Sequence, residues 1–177
     1  NESNIEEAAK LIANAKKPIF YIGGGCINSG PRSTELVTKF VEEVQAPATM
    51  TLMGLGVLAS SNKYSLGMLG MHGMYEANMA MHDCDVMINI GARFDDRVTG
   101  RLDAFSPNSK KIHIDIDASN VNKTIKIDVP IIGDIESVMT QMFNAWKKNN
   151  YSSRKEELLK WWKQIDKWKE VECLNYH

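Results

Sequence analysis

The chain has 177 residues, 44% of them apolar and 24% charged, with 21 lysines and arginines against 22 aspartates and glutamates. That is an ordinary globular composition, long enough for one core that buries roughly 70% of the unfolded surface. The net charge of −1 carries no field that would gather nucleic acid or an anionic membrane.

Ile5, Ala8, Ala9, Leu11, Ile12 and Ala15 recur at helical spacing and predict an amphipathic helix that Lys16-Lys17-Pro18 ends. Ile19-Phe20-Tyr21-Ile22 reads as a short strand running into Gly23-Gly24-Gly25, where backbone can approach a ligand closely. Pro31 opens a second helix whose inward face is Leu36, Val37, Phe40, Val41 and Val44, and a β-prone segment from Ala48 to Met53 ends at Gly54-Leu55-Gly56. A loop rich in Ser, Asn and Gly leads to Leu69-Gly70-Met71-His72-Gly73 and then a predicted helix from Tyr75 to His82. Val86 to Ile90 is nearly all apolar, as expected of a strand covered on both faces, and it too ends on a glycine, Gly91. Ile112, Ile114 and Ile116 alternate with His113, Asp115 and Asp117, which predicts a half-covered strand. Val129 to Ile132 is a further strand closed by Gly133, and Asp134 stands as N-cap to a helix carrying Ile135, Val138, Met139, Met142, Phe143 and Trp146. Beyond Asn150 a charged, Trp-rich stretch with Leu158, Trp161, Trp162, Ile165 and Trp168 predicts a helix leaving the domain, its tryptophans exposed and open to self-association.

Strands alternating with helices predict an α/β fold built on an open parallel sheet. Ligands of such sheets bind outside the carboxyl ends of the strands, where loops and helix N-termini collect. A dinucleotide needs backbone donors and a cation for its diphosphate and a carboxylate for its sugar hydroxyls, and Gly24, Arg93 and Asp115 are placed to supply them. Gly23 to Gly25 can equally be no more than a tight βα turn, and the run is not a GxGxxG fingerprint. His72 between glycines has little to pack against and is a candidate ligand contact. Asp95-Asp96-Arg97 reads as a solvated salt-bridged turn or as a loop aimed at an anion. Met53, Met68 and Met71 lie near the same glycines and are able to wall a flat apolar ring. Cys26, Cys84 and Cys173 form no CxxC pair, so neither a disulfide framework nor a metal site is expected and a reducing, cytoplasmic setting fits. No run approaches the ~18 apolar residues of a membrane span, and the start lacks a signal-peptide layout. The absent initiator methionine suggests a piece of a longer protein.

Leu69 to Gly73, the string Gly91-Ala92-Arg93-Phe94-Asp95-Asp96-Arg97-Val98-Thr99-Gly100, and His113 to Asp117 resemble, in order and spacing, the central domain of acetohydroxyacid synthase (acetolactate synthase) catalytic subunits. The resemblance covers about residues 4–147 and divides the chain into a central FAD-binding domain, residues 1–150, and a helical start of a linker, residues 151–177. It implies a six-stranded parallel sheet with helices on both faces, holding FAD structurally, while thiamine diphosphate and magnesium, bound by domains absent here, decarboxylate pyruvate and join its two-carbon unit to a second 2-keto acid. That activity belongs to branched-chain amino-acid biosynthesis, toward valine and isoleucine. Carried over by position, Gly24, Thr51, Leu52, Leu69, Gly70, Met71 and His72 look like FAD contacts. So do Gly91, Ala92, Arg93, Phe94, Asp95, Asp115, Ile116, Asp134 and Ile135, with Asn120 standing where the family has an acidic residue. Asp96 and Arg97 look like residues of the substrate channel. The implied partners are the other domains of the full chain, a second copy or three, and a regulatory small subunit, in the bacterial cytosol or a eukaryotic organelle. The fragment alone is expected to be inactive.

Two other readings remain. One is an NAD-handling enzyme of the sirtuin or transhydrogenase kind, although a sirtuin's zinc-binding cysteines and catalytic histidine motif are missing. The other is a non-catalytic scaffold that has kept the sheet without a nucleotide.

Overall fold

The computed structural model describes residues 2–94 and 105–171. In chain order its elements are α1 (Glu2–Asn14), β1 (Pro18–Ile22), α2 (Gly25–Asn28), α3 (Pro31–Val44), β2 (Ala48–Met50), β3 (Ser65–Met68), α4 (Tyr75–Asp83), β4 (Val86–Ile90), β5 (Lys110–Asp115), β6 (Val129–Ile132), α5 (Ile135–Lys148) and α6 (Lys155–Lys169). The six strands form one parallel sheet in the order β3-β2-β1-β4-β5-β6. The chain builds outward from β1 to β3 and then restarts on the other side of β1, so the strand order reverses between β1 and β4.

Each strand sends alternate side chains to opposite faces. Phe20, Ile22, Ile88, Ile90, Ile112 and Ile114 face α1, α3 and α5, where Phe40 meets Phe20, Phe143 and Trp146 edge-on at 5.1–6.0 Å. On the other face Ile19, Tyr21 and Met87 pack under α4 and α6.

The structure corrects four expectations. β2 stops at Met50, because the Thr51 hydroxyl accepts the Gly54 N–H at 3.1 Å and winds Leu52–Gly54 into a 3-10 turn. β3 lies inside what reads as a Ser/Asn/Gly-rich loop; it is a four-residue edge strand with Gly67 at φ +72° and an irregular register on β2, so no clear period marks it. β5 is covered on both faces rather than half-covered, with Lys111, His113 and Asp115 all buried. α6 does not leave the domain: Leu158, Trp161 and Ile165 are buried against the second face, and Trp161 and Trp162 donate from Nε1 to the carbonyls of Pro18 and Gln45 at 3.1 and 2.9 Å. Trp162 and Trp168 are half-buried beside it, so the exposed tryptophan surface and the self-association drawn from it fall away.

Candidate functional site

The carboxyl ends of all six strands open on one rim, and hydrogen bonds stitch their turns side by side. The Leu69 N–H reaches the Met50 carbonyl, Thr51 N–H the Ile22 carbonyl, Gly23 N–H the Ile90 carbonyl, Gly91 N–H the Ile114 carbonyl, and Gly133 N–H the Asp115 carbonyl. The glycines are there because these turns touch backbone to backbone. A Cβ on Gly23 would sit 2.3 Å from the Gly91 oxygen, one on Gly25 2.9 Å from the Gly91 Cα, and one on Gly24 2.9 Å from the Met53 Cβ. Gly91 also holds φ at +62°, in the left-handed region.

At the outer end of the rim the loop after β3 is pinned to α4. Asn78 accepts the Gly70 N–H at 2.8 Å and donates to the Gly70 carbonyl at 2.9 Å, which leaves Met71 and His72 exposed at its tip. Leu52, Met53, Met71 and Ile116, on the turns after β2, β3 and β5, are 70%, 74%, 78% and 73% exposed and belong to neither core.

Behind the turn after β4 runs a row of buried groups that sequence reasoning missed. Tyr21, Asn89 and His113 are register neighbours on β1, β4 and β5. The Tyr21 hydroxyl donates to the Arg93 carbonyl at 3.1 Å, and the Asn89 amide both donates to the Ala92 carbonyl and accepts the Ala92 N–H, at 2.9 and 3.0 Å. Phe94 closes over the row, its ring 5.7 Å from Tyr21 and 5.4 Å from His113. The result is a fixed turn with the Arg93 side chain exposed at the rim. The signal in the sequence is Asn89, the one polar residue of Val86 to Ile90.

Among the expected contacts, Gly24, Thr51, Leu52, Gly70, Met71, His72, Gly91, Arg93, Asp115, Ile116, Asn120 and Asp134 all stand along this rim. Leu69, Ala92, Phe94 and Ile135 stand there with buried side chains, so what they can offer a ligand is backbone. The Asp115 carboxylate accepts the Asp117 N–H at 2.8 Å and faces the Asn120 amide at 3.3 and 3.4 Å. Asp134 is occupied locally: the Ser29 hydroxyl and the Ser137 N–H donate to it and hold its carboxyl below the usual range. Burial pushes the Cys26 thiol up to about 12, against a Gly23 backbone hydrogen bond, so it is not a nucleophile at neutral pH. Asp95, Asp96 and Arg97 lie outside the described residues. Among the described residues no group of three or more His, Cys, Asp or Glu is arranged to hold a metal, and no helix is long and apolar enough to cross a membrane.

A family model described as "Thiamine pyrophosphate enzyme, central domain" matches residues 5–142. The chain belongs to that family. The thiamine-enzyme central domain seen here is 43% identical over 177 residues to the acetolactate synthase large subunit of Buchnera aphidicola subsp. Schizaphis graminum, covering 100% of the chain and 30% of the relative. It is 40% identical over 176 residues to the acetolactate synthase isozyme 3 large subunit of Escherichia coli, covering 99% of the chain and 30% of that subunit. With the acetolactate synthase large subunit of Porphyra purpurea it shares 43% identity over 163 residues, 92% of the chain and 27% of the relative. The chain thus spans about a third of the length of the curated relatives it matches, and as a central domain its fold agrees with the family. The reading as an NAD-handling enzyme gives way to this one.

Proposed function

We propose that this central domain is the middle portion of an acetolactate synthase large subunit and that the rim of its sheet holds FAD. The observation that carries the reading is the exposure of Leu52, Met53, Met71 and Ile116 beside Arg93 and Asp115 along one rim. A flavin has a flat apolar ring, a diphosphate and hydroxyl-bearing sugar chains, and those residues match them in turn. The residues present therefore fit the group. Arg93, on a turn held by Tyr21 and Asn89, offers its guanidinium to the diphosphate, and the turns at Gly24 and Gly91 let the ligand lie close to backbone. Asp115 accepts from hydroxyls. His72, exposed at the tip of the Gly70–Gly73 loop, and the backbone at Thr51, Leu69, Ala92, Phe94 and Ile135 line the remainder, with Asn120 reaching the ligand beside Asp115 and Asp134 at the far end.

FAD in this reading has a structural role; thiamine diphosphate and magnesium, held by the rest of the enzyme, supply decarboxylation of pyruvate and its joining to a second 2-keto acid in valine and isoleucine synthesis. Asp96 and Arg97, next in the chain after the Arg93 turn, line the channel to that chemistry, with Arg97 meeting a keto-acid carboxylate. The full enzyme is a cytoplasmic homodimer or homotetramer, joined by a regulatory small subunit. The test is a titration of the chain with FAD, followed by flavin fluorescence, with NAD as a control. Weak but saturable quenching by FAD, with no thermal shift from NAD, is expected; a response to NAD alone, or to neither, contradicts the reading.

A further inference from the structure

Among the described residues three buried side-chain nitrogens lack a hydrogen-bond partner, and two of them belong to His113. A fully buried imidazole left in that state is costly, since each unpaired polar atom forfeits its hydration. The packing of β5 alone gives no reason for it, because Ile112 and Ile114 fill the opposite face with apolar groups.

The surroundings of the ring define what it can do. In register across the sheet it is flanked by Asn89 and Pro130, and Phe94 lies edge-on to it. Two acceptors face it: the Ala92 carbonyl, already holding the Asn89 amide, and the Asp115 carboxylate, whose Oδ2 is 3.5 Å from Nε2. The other charged group on this face of β5 is Lys111, whose Nζ is committed to the carbonyls of Ser106 and Ser109 at 2.9 and 3.2 Å. Burial pushes the imidazole below its ordinary range, with Asp115 opposing, so at neutral pH the ring carries a single N–H. Of the two acceptors the carboxylate gains more from that proton, because a hydrogen bond to a charged group is about twice as strong as a neutral one.

We propose that His113 is a positioning residue for Asp115: its Nε2–H engages Oδ2 from the buried side and fixes the rotation of the carboxylate, so that the lone pairs left over by Asp117 and Asn120 meet a vicinal hydroxyl pair of a ligand on the rim. The identity of that ligand rests on the FAD reading above; the His113–Asp115 contact does not. The arrangement accounts for a histidine kept in a core position that an apolar residue would fill without an unpaired atom. At 3.5 Å the contact is about 0.5 Å longer than a formed N–H···O bond, a gap that a small turn of the carboxylate closes.

Two measurements on the chain test the proposal. Ring nitrogen shifts of His113 in the 15N-labelled protein should place the proton on Nε2 without any ligand present; a proton on Nδ1 overturns it. In flavin-fluorescence titrations His113→Leu should weaken FAD about tenfold while its unfolding temperature stays level or rises, because the substitution removes unpaired polar atoms. His113→Gln, whose side-chain amide donates from nearly the same place, should recover most of the affinity, and in an Asp115→Ala background, which removes the acceptor, His113→Leu should cost nothing further. Equal losses from Leu and Gln, or an undiminished loss beside Asp115→Ala, would mean that the ring only fills space. If His113→Leu fails to fold, the Gln variant and the ring shifts decide. A chain that takes no FAD yet shows the Nε2 proton contradicts the FAD reading and upholds the contact.

Discussion

Gly91 joins two constraints in one residue. Its φ of +62° excludes most side chains at low cost, and a Cβ would meet the Gly25 Cα at 2.9 Å and the Cys26 nitrogen at 3.1 Å. Both turns would have to part, so Gly91→Ala should lower stability by about 1–3 kcal/mol and lower the denaturant midpoint without changing the slope. An unchanged midpoint would mean that the two turns are not in contact in solution. His113 makes a separate prediction at this scale. Its folded-state proton affinity is depressed by burial, so as pH falls through the ordinary histidine range near 6.5 the unfolded chain takes up a proton that the folded chain resists. Stability is unaffected by this group above that range and falls below it, by at most about 1.4 kcal/mol per pH unit. The slope of stability against pH between 6.5 and 5 should be shallower in His113→Gln than in the natural chain, and equal slopes would contradict the burial.

At the level of elements, what the pattern of residues reveals depends on whether burial follows polarity. α5 is legible because its apolar positions repeat at helical spacing and Asp134 accepts the Ser137 N–H at 3.2 Å, as an N-cap should. β4 is legible because both its faces are covered and all its residues but Asn89 are apolar. β5 misleads: His113 and Asp115 look like an outward face, yet both are buried, His113 beneath Phe94 and beside Asn89 on the neighbouring strand. β3 is too short and too glycine-dependent to show a period. α6 misleads in the same direction, since its charged residues suggest a helix in solvent while its stripe of Leu158, Trp161 and Ile165 closes the second face. Trp161 is 1% exposed, so Trp161→Ala should cost about 3–5 kcal/mol and expose the face under α4 to a hydrophobic dye, whereas Leu159→Ala, at a residue 63% exposed, should stay within about 0.5 kcal/mol. Similar effects from both substitutions would mean that α6 is not docked.

For the molecule as a whole, the gathering of these turns on one rim follows from a rule of parallel sheets and was legible in the sequence. Strand ends carrying Gly23, Gly54, Gly91 and Asp115 had to share a rim once the strands were parallel. What was not legible is the support behind the rim, because Tyr21, Asn89 and His113 are distant in the chain and meet only through the register of three strands. The chain covers 30% of the length of its bacterial relatives, and in our account the thiamine site lies in the remainder. Supplied with pyruvate, FAD, thiamine diphosphate and magnesium, the chain alone should form no acetolactate, and any steady formation would refute that division.

The most direct measurement is an amide shift map of the 15N-labelled chain during addition of FAD. The account predicts that saturating shifts gather at residues 23–25, 51–54, 69–73, 91–93 and 115–116, and leave the opposite sheet edge around Lys16, Lys17 and Asp85 unmoved. Shifts centred on that opposite edge, or scattered without saturation, would contradict it.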